Sequence, residues 1–133
     1  MLETFHWFRG EGFQMIVDDL LCMPTDVRVI VEGFRLLPRL VQPFLRASNH
    51  AVWLLPSPEC REATMARRGG ATSGFLAKTS DPEQALRNLL NRDRMFTDQL
   101  RKELELLDLC AIDVDRPLSE DDCADLVAYI FEL

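Results

Sequence analysis

Residues 51–70, AVWLLPSPECREATMARRGG, decide the fold class, because an apolar run of strand length leads directly into a helix. The run at 52–55 is apolar on both faces, which is typical of a strand in a sheet that is covered on both sides. Ser57 is a favourable N-cap, and Pro58 suits the first helical position. A glycine pair at 69–70 is expected to end the helix. The stretch therefore predicts a strand–helix unit of an α/β protein.

The same alternation of strand and helix extends in both directions from this unit. VRVIV, residues 27–31, predicts an earlier strand, and LCAIDVD, residues 109–115, predicts a later one. Helices are predicted over 2–21 with a break at Gly10 and Gly12, over about 37–45, over 80–107 with a Ser80–Glu83 capping box, and from Ser119 onward. We expect an α/β fold with a parallel sheet of about three strands flanked by helices. Three strands make a thin sheet, so residues 1–133 are expected to form a single α/β domain that is the carboxyl-terminal part of a larger one.

Composition narrows the classes of function. A length of 133 residues suggests one domain, and the formal net charge of -7 argues against nucleic acid as a partner. All but two of the 15 Lys and Arg residues lie between Arg28 and Lys102, and a locally basic middle suits a small anionic ligand. The sequence has neither a long apolar run nor a secretory signal, so no membrane partner is expected. Four separated cysteines without a C-x-x-C pair favour a cytoplasmic setting.

Glu32 directly follows the predicted first strand and is itself followed by Gly33. Ligands of open parallel sheets bind outside the carboxyl ends of the strands. A carboxylate at such an end can hold a hydrated Mg²⁺ ion or accept a hydrogen bond from a substrate. The alternative is that this acid and glycine form a solvated turn, and their placement alone leaves both interpretations open.

Five arginines lie on the two helices that flank the glycine-rich loop GGATSGF. They are Arg67, Arg68, Arg87, Arg92 and Arg94. Planar guanidinium groups bind phosphate oxygens in a bidentate manner, so two arginine-bearing helices joined by a flexible loop predict a lid-like segment over about 67–100. The alternative is that these arginines lie on solvated helix faces and pair with acids such as Asp93 and Asp98.

The segments VRVIVEGFRLLP, AVWLLPSPECREATMARRG, LLNRDRMFTDQL and CAIDVD resemble the later part of P-loop nucleoside- and nucleotide-kinase-like proteins. The resemblance covers most of the chain from about Asp26 onward. It implies a P-loop kinase-like α/β fold, ATP and Mg²⁺ as cofactors, and a small-molecule phosphoryl acceptor as partner. The chain departs from this family because it lacks the G-x-x-x-x-G-K-[ST] phosphate loop. ATP binding by this chain alone is therefore expected to be weak, with little catalysis.

The resemblance also implies roles for individual residues. Glu32 matches the catalytic acid near the phosphoryl acceptor or near Mg²⁺, which it would contact through a metal-bound water. The lid arginines on the phosphates would be Arg67, Arg68, Arg92 and Arg94. The loop Asp115-Arg116-Pro117 matches the stretch beside the nucleotide base.

Two classes of function stay open at the level of sequence. The first is an ATP-binding, kinase-like protein that transfers the γ-phosphoryl group to a small hydroxyl or phosphate acceptor but is inactive in this truncated form. The second is a non-catalytic α/β binding or interaction module that has lost the phosphate loop. Such a module would complete its sheet against a partner or a second copy, as in a homodimer.

Overall fold

The computed structural model describes residues 10–115 and 119–132. Within these ranges the helices are α1 (Phe13–Leu21), α2 (Pro38–Val41), α3 (Pro58–Arg67), α4 (Pro82–Leu107) and α5 (Glu120–Phe131), and the strands are β1 (Val52–Pro56) and β2 (Cys110–Val114). Short 3₁₀ turns occur at Gln42–Phe44, Ser48–His50, Gly70–Thr72 and Leu76–Lys78. The mixed α/β class is therefore confirmed, and the strand–helix unit at 51–70 forms where it was predicted. None of the helices in these ranges is both long and apolar enough to cross a membrane.

The sheet of the described residues consists of β1 and β2, which run parallel with Val52 opposite Cys110 and Pro56 opposite Val114. Helices α3 and α4 connect the two strands, as a parallel pairing requires. The amide of Ser57 donates to the carbonyl of Val114 at 3.0 Å, so the carboxyl ends of the strands are joined beyond the last paired residues.

The strand predicted at residues 27–31 does not form, and this prediction was wrong. Residues 28–32 have no regular secondary structure, and every residue from 21 to 35 is exposed. The β-branched composition of VRVIV favours an extended backbone, but a strand also needs a hydrogen-bonding neighbour. No backbone amide of residues 27–31 donates to another backbone group of the described chain. The sheet that the described residues form thus has two strands, where three were predicted.

The ends of α3 follow from local side-chain chemistry. The Ser57 hydroxyl accepts a hydrogen bond from the amide of Cys60 at 3.1 Å, and Pro58 occupies the first turn, where its missing N–H costs nothing. The chain leaves the helix through Gly69, whose φ of 96° is left-handed. A Cβ at Gly69 would lie only 2.9 Å from the Cβ of Ser73, so glycine also provides the space for the turn.

Helix α4 organises the rest of the molecule. Its N-cap is Asp81, whose carboxylate accepts from the amide of Gln84 at 2.9 Å, one residue later than the predicted cap at Ser80. The helix packs against α2, α3, the 3₁₀ turns at 70–72 and 76–78, and both strands. Arg39 of α2 donates to Glu103 of α4 at 3.0 Å, which ties these two helices together.

The core is small and centred on α4. Its buried apolar side chains come from six separate parts of the chain: Leu37, Leu55, Cys60, Ala71, Leu76 and Leu104. In-register neighbours in a parallel pair point to the same face of the sheet, and side chains alternate between faces along each strand. Leu55 and Asp113 therefore face α4, where Arg101 donates to Asp113. The opposite face presents only apolar side chains from residues 52, 54, 110, 112 and 114, and Leu54 there is 42% exposed.

Candidate functional site: a cleft at the carboxyl end of β1

A cleft of about 250 Å³ opens where β1 ends and α3 begins. Its lining consists of Pro56, Pro58, Arg61, Glu62, Leu90, Asn91, Asp93, Arg94 and Thr97. The last residue of β1 and the first turn of α3 form one wall, and the middle of α4 forms the other. This is the position at which open parallel sheets bind their ligands. The cleft is therefore the strongest candidate site among the described residues.

The charged side chains that line the cleft are two arginines, Arg61 and Arg94, and two acids, Glu62 and Asp93. Asp93 contacts two arginines: Arg92 donates to its Oδ1 from Nη2 at 3.0 Å and from Nε at 3.3 Å. The other oxygen, Oδ2, lies 3.4 Å from Nε of Arg61. Arg94 lines the same cleft, and within the described parts of the chain its guanidinium forms neither an ion pair nor a hydrogen bond.

The Arg61 Nε atom is the least satisfied polar atom of the site. It is shielded from solvent and has no hydrogen-bond acceptor, although the Arg61 side chain as a whole is 39% exposed. The contact with Asp93 is therefore electrostatic and not a well-aligned hydrogen bond. An incoming oxyanion could satisfy this N–H as well as the free guanidinium of Arg94, because arginine offers five donors in a planar fork.

Glu32 is not part of this cleft. It belongs to the exposed segment at 21–35, it does not line the cleft, and no described side chain bonds to its carboxylate. The predicted position of Glu32 at the carboxyl end of a strand was wrong, since residues 27–31 form no strand. Its predicted role as catalytic acid and metal contact stays a prediction.

The four predicted lid arginines occupy two different places. Arg94 lines the cleft and Arg92 neighbours it through Asp93. Arg67 and Arg68 lie at the far end of α3, are exposed and do not line the cleft. The loop after them is anchored, because Ala71 and Leu76 in its two 3₁₀ turns are buried against α4.

The predicted base-binding loop is described only at its first residue. Asp115 follows β2 directly and is exposed, whereas Arg116 and Pro117 lie outside the described residues. Just before this loop, the guanidinium of Arg101 lowers the pKa of the Asp113 carboxyl through a direct hydrogen bond. The same bond raises the pKa of Arg101. Arg101 and Asp113 thus form an ion pair at the sheet end, outside the cleft.

The residues of the cleft suit the phosphate groups of ATP better than they suit Mg²⁺. Phosphate oxygens match the donors that Arg61, Asn91 and Arg94 bring to one cleft. Among the residues that the structure describes, no group of three or more His, Cys, Asp or Glu side chains could hold a metal ion, and Glu32 is not brought to the arginines. The described residues therefore fit a phosphate-bearing ligand and provide no assembled Mg²⁺ site.

Comparisons with protein-family models, with curated proteins and with solved structures found no match for this chain. The resemblance to P-loop kinase-like proteins accordingly stays a prediction from sequence segments.

Two residues of the site, Arg61 and Asn91, were not singled out from the sequence. Arg61 lies four positions after the N-cap Ser57, so it projects from the first turn of α3 at the end of β1. That spacing is visible in the sequence and is the signal that could have identified it. Asn91 lies next to Arg92 on α4, and only the packing of α3 against α4 shows that it faces Arg61 across a cleft.

Proposed function

We propose that this chain is a kinase-like α/β protein that binds the phosphate groups of a small molecule, such as ATP or a phosphorylated acceptor, in the cleft at the carboxyl end of β1. One observation carries the proposal: Arg61 and Arg94, from two different helices, line the same cleft, and Arg94 has no acidic partner in the described chain. Hydrogen bonds between arginine and phosphate are charge-assisted and often bidentate.

In this proposal the residues of the cleft bind and orient and do not themselves perform a chemical step. Arg94 contributes a guanidinium that has no ion-pair partner among the described residues, and Arg61 contributes a desolvated N–H that lacks an acceptor. Glu62 adds a negative charge to the same lining, which a bound phosphate would have to avoid. Asn91 adds an amide that can donate to an ester or phosphate oxygen. ATP and Mg²⁺ remain the cofactors implied by the family resemblance, and transfer of the γ-phosphoryl group would require groups that the described residues do not assemble.

Isothermal titration calorimetry with pyrophosphate and with ATP, at low and at physiological ionic strength, tests the proposal. Arg94→Ala should weaken binding by at least about tenfold, because a hydrogen bond to a charged group contributes roughly 1.5–3 kcal/mol. Arg87→Ala is the matched control, since Arg87 lies on the same helix but pairs with Gln84 and does not line the cleft. Equal affinity in the two variants, or no heat with either ligand, would contradict the proposal.

A second candidate function is a non-catalytic interaction module, and a different observation favours it. Large apolar side chains are exposed along one continuous part of the chain, including Met15, Leu21, Ile30 and Phe34 at 69%, 78%, 75% and 58%. Large exposed apolar side chains that occur together mark interaction sites in native proteins. A defined oligomer whose melting temperature does not respond to pyrophosphate would favour this candidate over phosphate binding.

A further inference from the structure

Residues 13–34, which we call the arm, make few contacts with the rest of the molecule. Helix α1 has no buried residue, and every residue from 21 to 34 is exposed. The arm is attached near its start by the tilted contact of the Phe13 and Phe44 rings, whose centroids are 5.8 Å apart. Its far end leads into the segment at 36–37, where the Leu36 carbonyl accepts from the Trp53 indole at 2.8 Å.

The arm is apolar as well as exposed. Nine of its large apolar side chains are exposed by 36% to 78%: Met15, Leu20, Leu21, Met23, Val27, Val29, Ile30, Val31 and Phe34. Large apolar side chains that are exposed together in a native protein mark an interaction surface. The arm is therefore a candidate for one side of an interface.

The described chain also contains an unpaired strand edge that is as long as the extended part of the arm. Strand β1 has five residues, pairs with β2 on one side, and has no strand on its other side among the described residues. The segment VRVIV at 27–31 is also five residues long, and its amides have no backbone acceptors in the described structure. An unpaired strand edge is a template for another extended segment.

Gly33 provides the joint between the arm and the body. Its φ of 146° lies in a region that disfavours residues with a side chain, and a Cβ built there would have nothing within 4 Å. Glycine therefore suits the bend of the backbone between the arm and the body. Exchange of an identical element between two copies of a chain is a common route to a dimer, and it proceeds through a hinge of this kind.

We propose that two copies of this chain form a closed dimer by arm exchange, in which residues 27–31 of each copy add to the free edge of β1 of the other. Each copy provides one arm and one unpaired β1 edge. In a dimer with two-fold symmetry, each arm therefore pairs with the β1 edge of the other copy, and no edge is left unpaired. The exchange places the apolar residues of the arm against the half-exposed apolar face of the partner's sheet, where Leu54 is 42% exposed. This inference names the partner of the interaction module, and it is independent of phosphate binding because no arm residue lines the cleft.

Light scattering on a size-exclusion column, with the purified full chain over a range of concentrations and without ligand, is the first test. A particle of twice the chain mass of 15.3 kDa is expected. The double variant V29D/I30D should shift the particle to the monomer mass, because two carboxylates would enter an apolar interface. Leu106→Asp is the matched control, since Leu106 is 84% exposed on α4, outside the arm, and this variant should remain dimeric.

Hydrogen–deuterium exchange tests whether residues 27–31 take part in the dimer. In the wild-type dimer the amides of 27–31 should exchange at least about tenfold more slowly than in the V29D/I30D monomer, because they would donate to a partner strand. Should the double variant not fold, slow exchange at 27–31 in the wild-type protein decides the question. A monomer, a soluble aggregate without a defined mass, or a dimer whose residues 27–31 exchange freely would each overturn the proposal. The phosphate titration is unaffected by any of these outcomes, so the two proposals fail separately.

Discussion

The Nε atom of Arg61 on α3 lies 3.4 Å from the Oδ2 atom of Asp93 on α4, and both residues line the cleft at the carboxyl end of β1. Asp93 also accepts from Arg92, so one carboxylate serves two guanidinium groups. An internal carboxylate beside these arginines offsets the positive charge that a bound oxyanion would meet. Asp93 is therefore the residue at which stability and ligand affinity oppose each other.

Replacing Asp93 by Asn should strengthen the binding of pyrophosphate about three- to tenfold, because Arg61 would lose its internal carboxylate partner and gain an external one. The same change should lower the free energy of unfolding by about 1 kcal/mol, since partly exposed ion pairs contribute little. Calorimetry and urea denaturation measure the two effects. Asp98→Asn, at an exposed position five residues further along α4, serves as the control and should leave affinity unchanged. Weaker binding by the Asp93 variant would show that Asp93 helps to hold the ligand and does not compete with it.

Leu104 and Leu106 offer a matched pair for testing whether α4 organises the core. Leu104 is 2% exposed and Leu106 is 84% exposed on the same helix. Leu104→Ala should lower the free energy of unfolding by about 2–5 kcal/mol, because it removes buried methyl groups and leaves a cavity. Leu106→Ala should change it by less than about 0.5 kcal/mol. Urea denaturation monitored by circular dichroism measures both, and similar midpoints for the two variants would contradict the assignment of the core.

The strand–helix unit at 51–70 could be predicted because all of its signals are local. Ser57, Pro58 and Gly69 specify the two ends of α3 through hydrogen bonding and backbone geometry alone. The extent of α4 followed from its apolar periodicity, and only the choice between Ser80 and Asp81 as N-cap differed, since the two neighbours are both good cap residues.

The strand at 27–31 could not be decided from local sequence. Its composition specifies an extended backbone, but pairing depends on whether a neighbouring edge is present, which is a tertiary property. The site shows the same limit. Arg94 was identified as a phosphate-binding candidate from its residue type, whereas its grouping with Arg61 depends on how α3 packs against α4. The kind of ligand that a single residue can bind could thus be predicted from the sequence. Which residues from separate helices lie together in one cleft could not.

Trp53 links β1 to the segment that precedes α2, because its indole N–H donates to the Leu36 carbonyl at 2.8 Å. Trp53→Phe keeps most of the ring but leaves the part-buried carbonyl without this donor. The free energy of unfolding should fall by about 1–2 kcal/mol, a loss that combines the hydrogen bond and some packing. Chemical denaturation followed by circular dichroism measures the change, because the variant alters the fluorescence signal. An unchanged stability would mean that water replaces the indole donor at no cost.

The Arg101–Asp113 pair predicts a dependence of stability on pH. The hydrogen bond from Arg101 lowers the pKa of the Asp113 carboxyl below its ordinary value of 3.8. A carboxyl whose pKa is lower in the folded state stabilises the protein above its unfolded pKa, and the contribution is lost as the pH falls through the folded value. Asp113→Asn removes a partner that is 56% exposed, so the loss at neutral pH should be under about 1 kcal/mol and should diminish with added salt.

The wild-type protein and the Asp113→Asn variant should therefore differ in stability at neutral pH and converge as the medium is made acidic below pH 3.8. Urea denaturation at a series of pH values, at low and at high salt, measures this convergence. Arg101→Gln should give the same convergence, because it removes the donor that lowers the pKa of Asp113. A difference between wild type and Asp113→Asn that stays constant down to the most acidic pH would assign the effect to packing and not to the ion pair.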